Sequence, residues 1–224
     1  MIAWYRLAND ERIGLARAGE AAEARRFLDG MMAAEPGWSP PAGALDAYPR
    51  HARYVIHRDR AGVRGAVKLV RGNADEGLPI LEVWPELPLR GRRDVAELSV
   101  LALDRRARGR GSAFLSLAAE TWRYCHRRGI VEIWAELEPR ALAGYGRFGW
   151  PFEVAGPPRD YWGALHRPCR MSLAAAGTAF VERAKRSSAY ADAVRQALRG
   201  AGLPDGHRVR RSLSVLAARS EAES

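Results

Sequence analysis

The 224-residue chain is poor in the residues that staple or metallate small proteins. It has two cysteines, Cys125 and Cys169, and no Cys-x-x-Cys or His-x-x-x-His spacing. A disulfide framework is excluded, and no metal site is expected. No uninterrupted apolar run approaches the roughly 20 residues of a membrane-spanning helix. The start, Met1-Ile-Ala-Trp-Tyr-Arg6, is too polar and too soon charged for a secretory signal, so a cytoplasmic protein is expected. Gly-Lys-Ser/Thr is missing, which removes a Walker A loop. Phe114 stands where a dinucleotide fingerprint needs its third glycine. Lysine occurs twice, as Lys68 and Lys185.

Hydrophobic residues make up 47% of the chain and charged residues 28%, enough for a sizeable core and against general disorder. The net charge of +10 is almost all guanidinium, which suits bidentate contact with phosphate or carboxylate. Such a balance has two sources: an arginine- and alanine-rich genome, or an acidic partner such as nucleic acid, a phosphorylated cofactor or an acidic carrier protein. The arginines are scattered, apart from Arg105–Arg110 and the cluster Arg208, Arg210 and Arg211. That scatter speaks against a nucleic-acid-binding stripe.

Along the chain, Ile2 to Leu7 reads as a strand and Glu20 to Ala34 as a helix, after which Pro36, Gly37, Pro40, Pro41 and Gly43 impose an irregular loop. Arg53–Arg58 and Arg64–Val70 flank a turn and read as a hairpin. A short strand is expected at Ile80–Trp84. Val95–Leu103 is a strand, Ser112–Arg128 an amphipathic helix capped by Gly129, Ile130–Leu137 a strand and Arg140–Phe148 a short helix. Phe152–Ala155 and Arg170–Leu173 close the sheet around a loop, Gly156–Pro168. From Phe180 to Ala201 an apolar stripe at three- and four-residue steps predicts one helix, and Arg211–Arg219 another. The organisation expected is a catalytic-sized domain over 1–176 and a basic helical extension over 177–224.

Strand periodicity puts Glu97, Ser99, Leu101 and Leu103 on one face, with the wholly apolar Ala96, Leu98, Val100 and Ala102 on the other. A carboxylate in mid-strand is either a solvated outward residue or a partly buried general base with a raised pKa. The segment from Arg105 through Arg108-Gly109-Arg110-Gly111-Ser112-Ala113 joins this strand to the helix. Its glycines free backbone N–H groups at a positive helix end, which makes an anion cradle. On the next strand Glu132, Trp134 and Glu136 share a face; the acidic pair either attracts a cationic amine or is a solvated surface. His166, in the loop Tyr161–Pro168, is a candidate for the acceptor pocket. His51, His57 and His126 read as structural or solvated, Cys125 as core, and Cys169 lacks an evident base.

With these motifs in place, the chain resembles the GCN5-related N-acetyltransferase (GNAT) superfamily. Arg108–Ala113 fits its pyrophosphate loop, Arg/Gln-x-x-Gly-x-Gly/Ala, with Arg106–Gly111 as a second register. Tyr145-Gly-Arg-Phe-Gly-Trp150 fits its later tyrosine motif. A narrower resemblance is to the N-acyl amino acid synthase and autoinducer-synthase-like branch. It rests on Arg53-Tyr54, Gly65–Leu69, Leu78–Leu81, Glu97-Leu-Ser-Val100 and Gly156–Gly163 followed by Arg167-Pro168. Val100 and Lys68 stand where that branch has arginines, and of its upstream acidic pair only Asp46 can be placed.

The resemblance implies an α/β fold, a mixed, twisted and partly splayed β-sheet flanked by helices, here with the C-terminal helical extension. It implies transfer of an acyl group from a thioester to the amine of a small molecule. Glu97 would be the base and Tyr145 the acid for the departing thiolate. The backbone at Leu101 and Leu103, with Arg108, Gly109, Arg110, Gly111, Ser112 and Ala113, would hold the donor. Ser99, Trp134, Glu136 and His166 would meet the acceptor. No tightly bound cofactor is implied: acyl-coenzyme A or an acyl-phosphopantetheine, the latter on an acyl carrier protein, is the co-substrate. A non-catalytic thioester sensor is the rival on the same fold.

Overall fold

The computed structural model describes residues 5–7, 11–108, 112–187 and 190–191. Strands β3 (Ala52–Asp59) and β4 (Gly62–Arg71) form the expected hairpin, closed over Arg60-Ala61 with Asp59 Oδ1 accepting from Ala61 N–H at 2.8 Å. Ahead of them run β1 (Tyr5–Leu7), β2 (Glu11–Leu15) and helix α1 (Ala18–Ala33). After them come β5 (Val95–Leu103), a single turn α2 (Arg105–Arg108), α3 (Ser112–Arg127), β6 (Glu132–Leu137) and α4 (Pro139–Arg147). The chain continues through β7 (Glu153–Val154), β8 (Arg159–Tyr161), β9 (Ala164–Ser172) and α5 (Leu173–Arg186).

The strands form one mixed sheet in the order β1-β2-β3-β4-β5-β6-β9-β7, with β8 paired to β9. Only β5 and β6 are parallel. The crossover between them is α3, as a parallel pair requires. Helix α3 lies on one face, where Phe114, Leu117, Ala118 and Cys125 pack with Val67, Leu69, Ala96, Leu98 and Ile133. On the other face α1 packs Ala24, Leu28 and Met32 over Ile56, Ala66 and Val100. Gly129, at φ +68°, ends α3, and Ile130 N–H returns to Cys125 O at 3.0 Å.

Three expectations change, and one strand appears that no expectation covered. The segment Ile80–Trp84 is not a strand: Pro79–Glu82 is a 3₁₀ turn whose Pro79, Ile80 and Leu81 are buried beside Trp84. A short apolar run does not distinguish the two, and the proline favours the turn. The stretch Gly156–Pro168 is not all loop. It contains β8 and the first half of β9, joined by Trp162 (φ +55°) and Gly163 (φ +83°), the two positive-φ residues of a hairpin turn. Strand β2, with an interior glycine, was not legible by alternation. The stripe from Phe180 onward is not one helix, since it breaks at Ser187, in extended geometry, whose Oγ receives Tyr190 N–H.

Helix α5 crosses the expected boundary at 176/177 and buries Ala176, Gly177 and Phe180 against the same core. Trp122 Nε1 donates to Leu173 O at 2.8 Å, fixing α5 to α3. The rest of the extension, from 192 to 224, lies outside the described residues.

Candidate active site

Strand β5 is built to part from its neighbour. It pairs with β4 along its length but with β6 only through Val95, Ala96 and Glu97, opposite Glu132, Ile133 and Trp134. Beyond Glu97 the edge of β5 facing β6 has no strand beside it among the described residues. The β4 pairing also slips there: Lys68 faces Val100 and Leu69 faces Leu98, so Ser99 is the extra residue of a β-bulge. The bulge reverses the alternation expected for β5. Leu101 and Leu103 turn to the α3 side with Ala96 and Leu98, while Val100 and Ala102 turn to the α1 side. Strict period-two counting could not foresee an inserted residue.

Glu97 is fully buried at this point of divergence. Its Oε2 accepts Ile80 N–H at 2.7 Å, and its Oε1 accepts the Ser99 hydroxyl at 2.6 Å. Burial raises its pKa to about 7, against the pull of Ser99, Ile80 and the Lys68 charge, with the Glu82 charge adding to the rise. The 3₁₀ turn at Pro79–Glu82 thus serves the site, since one of its backbone donors holds the carboxylate. Lys68 is buried as well, and its Nζ donates to Ala44 O at 3.3 Å and Ala47 O at 3.1 Å. Burial lowers its pKa, and the Glu97 charge opposes that.

A cavity of about 230 Å³ opens next to Ser99 on the α1 side. Its walls are the loop Pro41–Tyr48, Lys68, Pro79, Glu82, Tyr161 and Trp162. Tyr48, itself at φ +59°, donates to Glu82 Oε1 at 2.8 Å. Tyr161 and Trp162 stack at 4.5 Å, and Trp162 O takes Ser39 N–H at 2.6 Å, tying the hairpin turn to the proline-rich loop. Burial, then the Glu136 and Glu97 charges, raises the Tyr161 phenol, which stays neutral.

The expected site residues fall in separate groups. Ser99 lines the cavity and Glu97 stands behind it. Trp134 and Glu136 are buried on β6, on the face toward Trp84 and Tyr161, and are not part of a solvated surface. Glu132, on that face too, is half-buried and pairs with Arg92. His166 is buried behind the wall: its Nδ1 lies 3.0 Å from Ala164 O, and its ring packs edge-on against Tyr161 and Trp38. It supports the cavity's aromatic wall and is absent from its lining.

Tyr145 is across the sheet, half-buried among Phe114, Trp150 and Phe152, with its ring 5.9 Å from Phe114 in the first turn of α3. Burial raises its pKa, so the phenol keeps its proton. Ala113 is buried at the start of α3, and Arg108 ends α2. Gly109, Arg110 and Gly111 lie outside the described residues, as do the side chains of Arg108 and Ser112.

Sequence reasoning missed Tyr48, Glu82 and Trp162, which have no motif of their own. Tyr161 was legible only as part of the quoted Gly156–Gly163 stretch, and Lys68 only as a departure from a family arginine.

No protein-family model matches the sequence, and no curated protein matches it. Solved structures do match by shape. BjaI, a CoA-dependent acyl-homoserine lactone synthase solved with SAM and isopentyl-CoA, aligns with a TM-score of 0.60 at 18% identity, over 86% of this chain and 99% of that one. FeeM, an N-acyl amino acid synthase from uncultured soil microbes, aligns at 0.57 and 16% identity, over 75% and 95%. The AHL synthase LasI aligns at 0.55 and 17%, over 73% and 89%. At these identities the likeness is one of fold: the chain has the GNAT-type fold, in the form these synthases share. Among the described residues no helix is long and apolar enough to cross a membrane.

Proposed function

We propose that the protein is an N-acyltransferase that moves an acyl group from a thioester to the amine of a small molecule. The observation that carries this reading is the buried Glu97 at the last rung shared by β5 and β6, poised near neutrality and joined through Ser99 to a cavity. Beyond that rung no strand lies beside β5 on its β6 side among the described residues, which leaves room for an extended thiol arm, and the main chain at Leu101 would polarise the thioester. Amides of Arg108–Ala113, with Arg108 and Arg110, would grip the phosphorylated end, where a helix N-terminus favours an anion.

In this reading the acceptor occupies the cavity by Ser99. Its ammonium loses one proton to Glu97 Oε1 by way of the Ser99 hydroxyl, which already donates to that oxygen. The nitrogen lone pair attacks the thioester carbon, the new C–N bond forms, and the C–S bond breaks. Tyr145 protonates the leaving thiolate, and the second proton, shed by the attacking nitrogen as the amide forms, restores the phenol. Holding both reactants on two sides of one gap supplies proximity. Long-chain acyl donors on coenzyme A or an acyl carrier protein, and amino acids or related amines as acceptors, are the substrate classes to try first. That FeeM and BjaI make N-acyl compounds supports them.

The test incubates the full chain with acyl-coenzyme A and acyl-carrier thioesters of graded length and a mixture of amines. Free thiol and product mass are then measured. Thiol release that depends on the amine supports the reading; donor binding without turnover would favour the thioester sensor.

A further inference from the structure

Glu136 is a buried acid that no other side chain hydrogen-bonds among the described residues. Its exposure is 8%, and neither carboxyl oxygen has a hydrogen-bond partner among the described residues. Trp134 Nε1, two residues earlier on the same face, is also buried without a hydrogen-bond partner among the described residues. Buried polar groups are almost always paired, because one left unpaired has lost its hydration with no bond in return. Strand register says where these groups lie. Glu97 faces Trp134, so one step past the last shared rung Ser99 on β5 and Glu136 on β6 flank the two sides of the gap.

Resting on the acyltransferase reading, we propose that Glu136 is the binding group for the acceptor's ammonium, which enters the gap between Ser99 and Glu136. The charges around this point are consistent with a cation. Glu97 on β5, Glu82 on the 3₁₀ turn and Glu136 itself are acidic, and Tyr161 on β8 and Cys169 on β9 are neutral. Lys68 on β4 is the cation nearby, and it is turned to Ala44 O and Ala47 O. The two carboxyls are unequal. Burial and then the Glu97 charge push Glu136 well above the carboxylate range, whereas Glu97 is pulled down by its two hydrogen bonds. Glu97 therefore ionises first and Glu136 keeps its proton.

An arriving ammonium reverses that preference. Glu136 releases its proton to solvent and pairs with the cation. Once the thioester is also in place, the ammonium passes one proton to the Glu97 carboxylate and becomes the neutral amine that attacks. Charge and protons balance: one proton leaves on binding, and one moves to Glu97 before C–N bond formation.

Infrared difference spectroscopy on the full chain at neutral pH tests this without any thioester. Hexylamine hydrochloride is the probe, and 1-hexanol is the uncharged control. The expected result is loss of the protonated-carboxyl stretch with the amine and no loss with the alcohol. The signal should be absent in Glu136→Gln, or in Glu136→Met should the glutamine variant fail to fold. In turnover, Glu136→Gln should raise the amine KM about tenfold and leave donor affinity unchanged. Equal responses to amine and alcohol, or an undiminished response in a folded Glu136 variant, would overturn the proposal. Failure of thiol release alongside a normal infrared response would instead count against the transfer reaction.

Discussion

Ser99 donates a 2.6 Å hydrogen bond to Glu97 Oε1 from the one residue of β5 that the β4 register skips. The bulge therefore does two things at once. It swings a hydroxyl to the cavity side beside the carboxylate, and it re-phases the strand so that leucines beyond it serve the α3 core.

Ser99→Ala should remove the relay and one hydrogen bond that favours the ionised acid. Turnover is expected to fall about tenfold, with the acid limb of the pH–rate profile moving to higher pH because Glu97 becomes harder to ionise. Donor affinity should not change. An unmoved pH profile would mean that the hydroxyl does not act on Glu97.

The Glu97 shift also sets a sign for stability. Its folded pKa of about 7 lies above the ordinary 4.5, so between these values the native state holds a proton that the unfolded chain has lost. Stability should fall as pH rises through that window, by roughly 3 kcal/mol from this group. Activity should rise over the same range. Denaturant melts across the window check it, and Glu97→Gln should lessen the slope, leaving the part due to Glu136.

Gly163→Ala places a methyl 3.0 Å from Gly37 O at φ +83°. The hairpin turn and the proline-rich loop would have to shift apart, at a cost of about 1–2 kcal/mol. The amine KM should rise more than the thioester KM, because this turn carries the Tyr161–Trp162 wall of the cavity. Paired kinetics for the two substrates measure the split.

Arg183 donates to Arg147 O and Gly146 O, each at 2.7 Å, at the C-terminal end of α4 where a cation is favoured. Arg183→Ala should cost about 1 kcal/mol and lower kcat through the helix that carries Tyr145. A thermal melt together with kcat at saturating substrates reads both effects.

Much of this was legible in the sequence because local physics dominates there. Val95–Leu103 alternates cleanly, Ser112–Arg127 has a continuous apolar stripe and a glycine stop, and the Asp59–Gly62 turn lies between two β-rich runs. Glu97 and Ser99 stood out because charge and hydroxyl interrupt an apolar strand. What was hidden depends on contacts distant in sequence. Ile80 turns where a strand was expected because Glu97, 17 residues on, accepts its N–H. Glu136 is buried where β9 pairs beside β6 and the hairpin of β8 and β9 turns through a tryptophan at positive φ. The split between β5 and β6 follows from register, which a single strand's pattern does not encode.

The most direct measurement compares wild type with Glu97→Gln, an isosteric change, for thiol released from an acyl thioester in the presence of amine, with donor affinity measured alongside. The wild type should release thiol in proportion to amine, and the variant should bind donor equally well but turn over about a hundredfold more slowly. A variant as fast as the wild type would contradict the account.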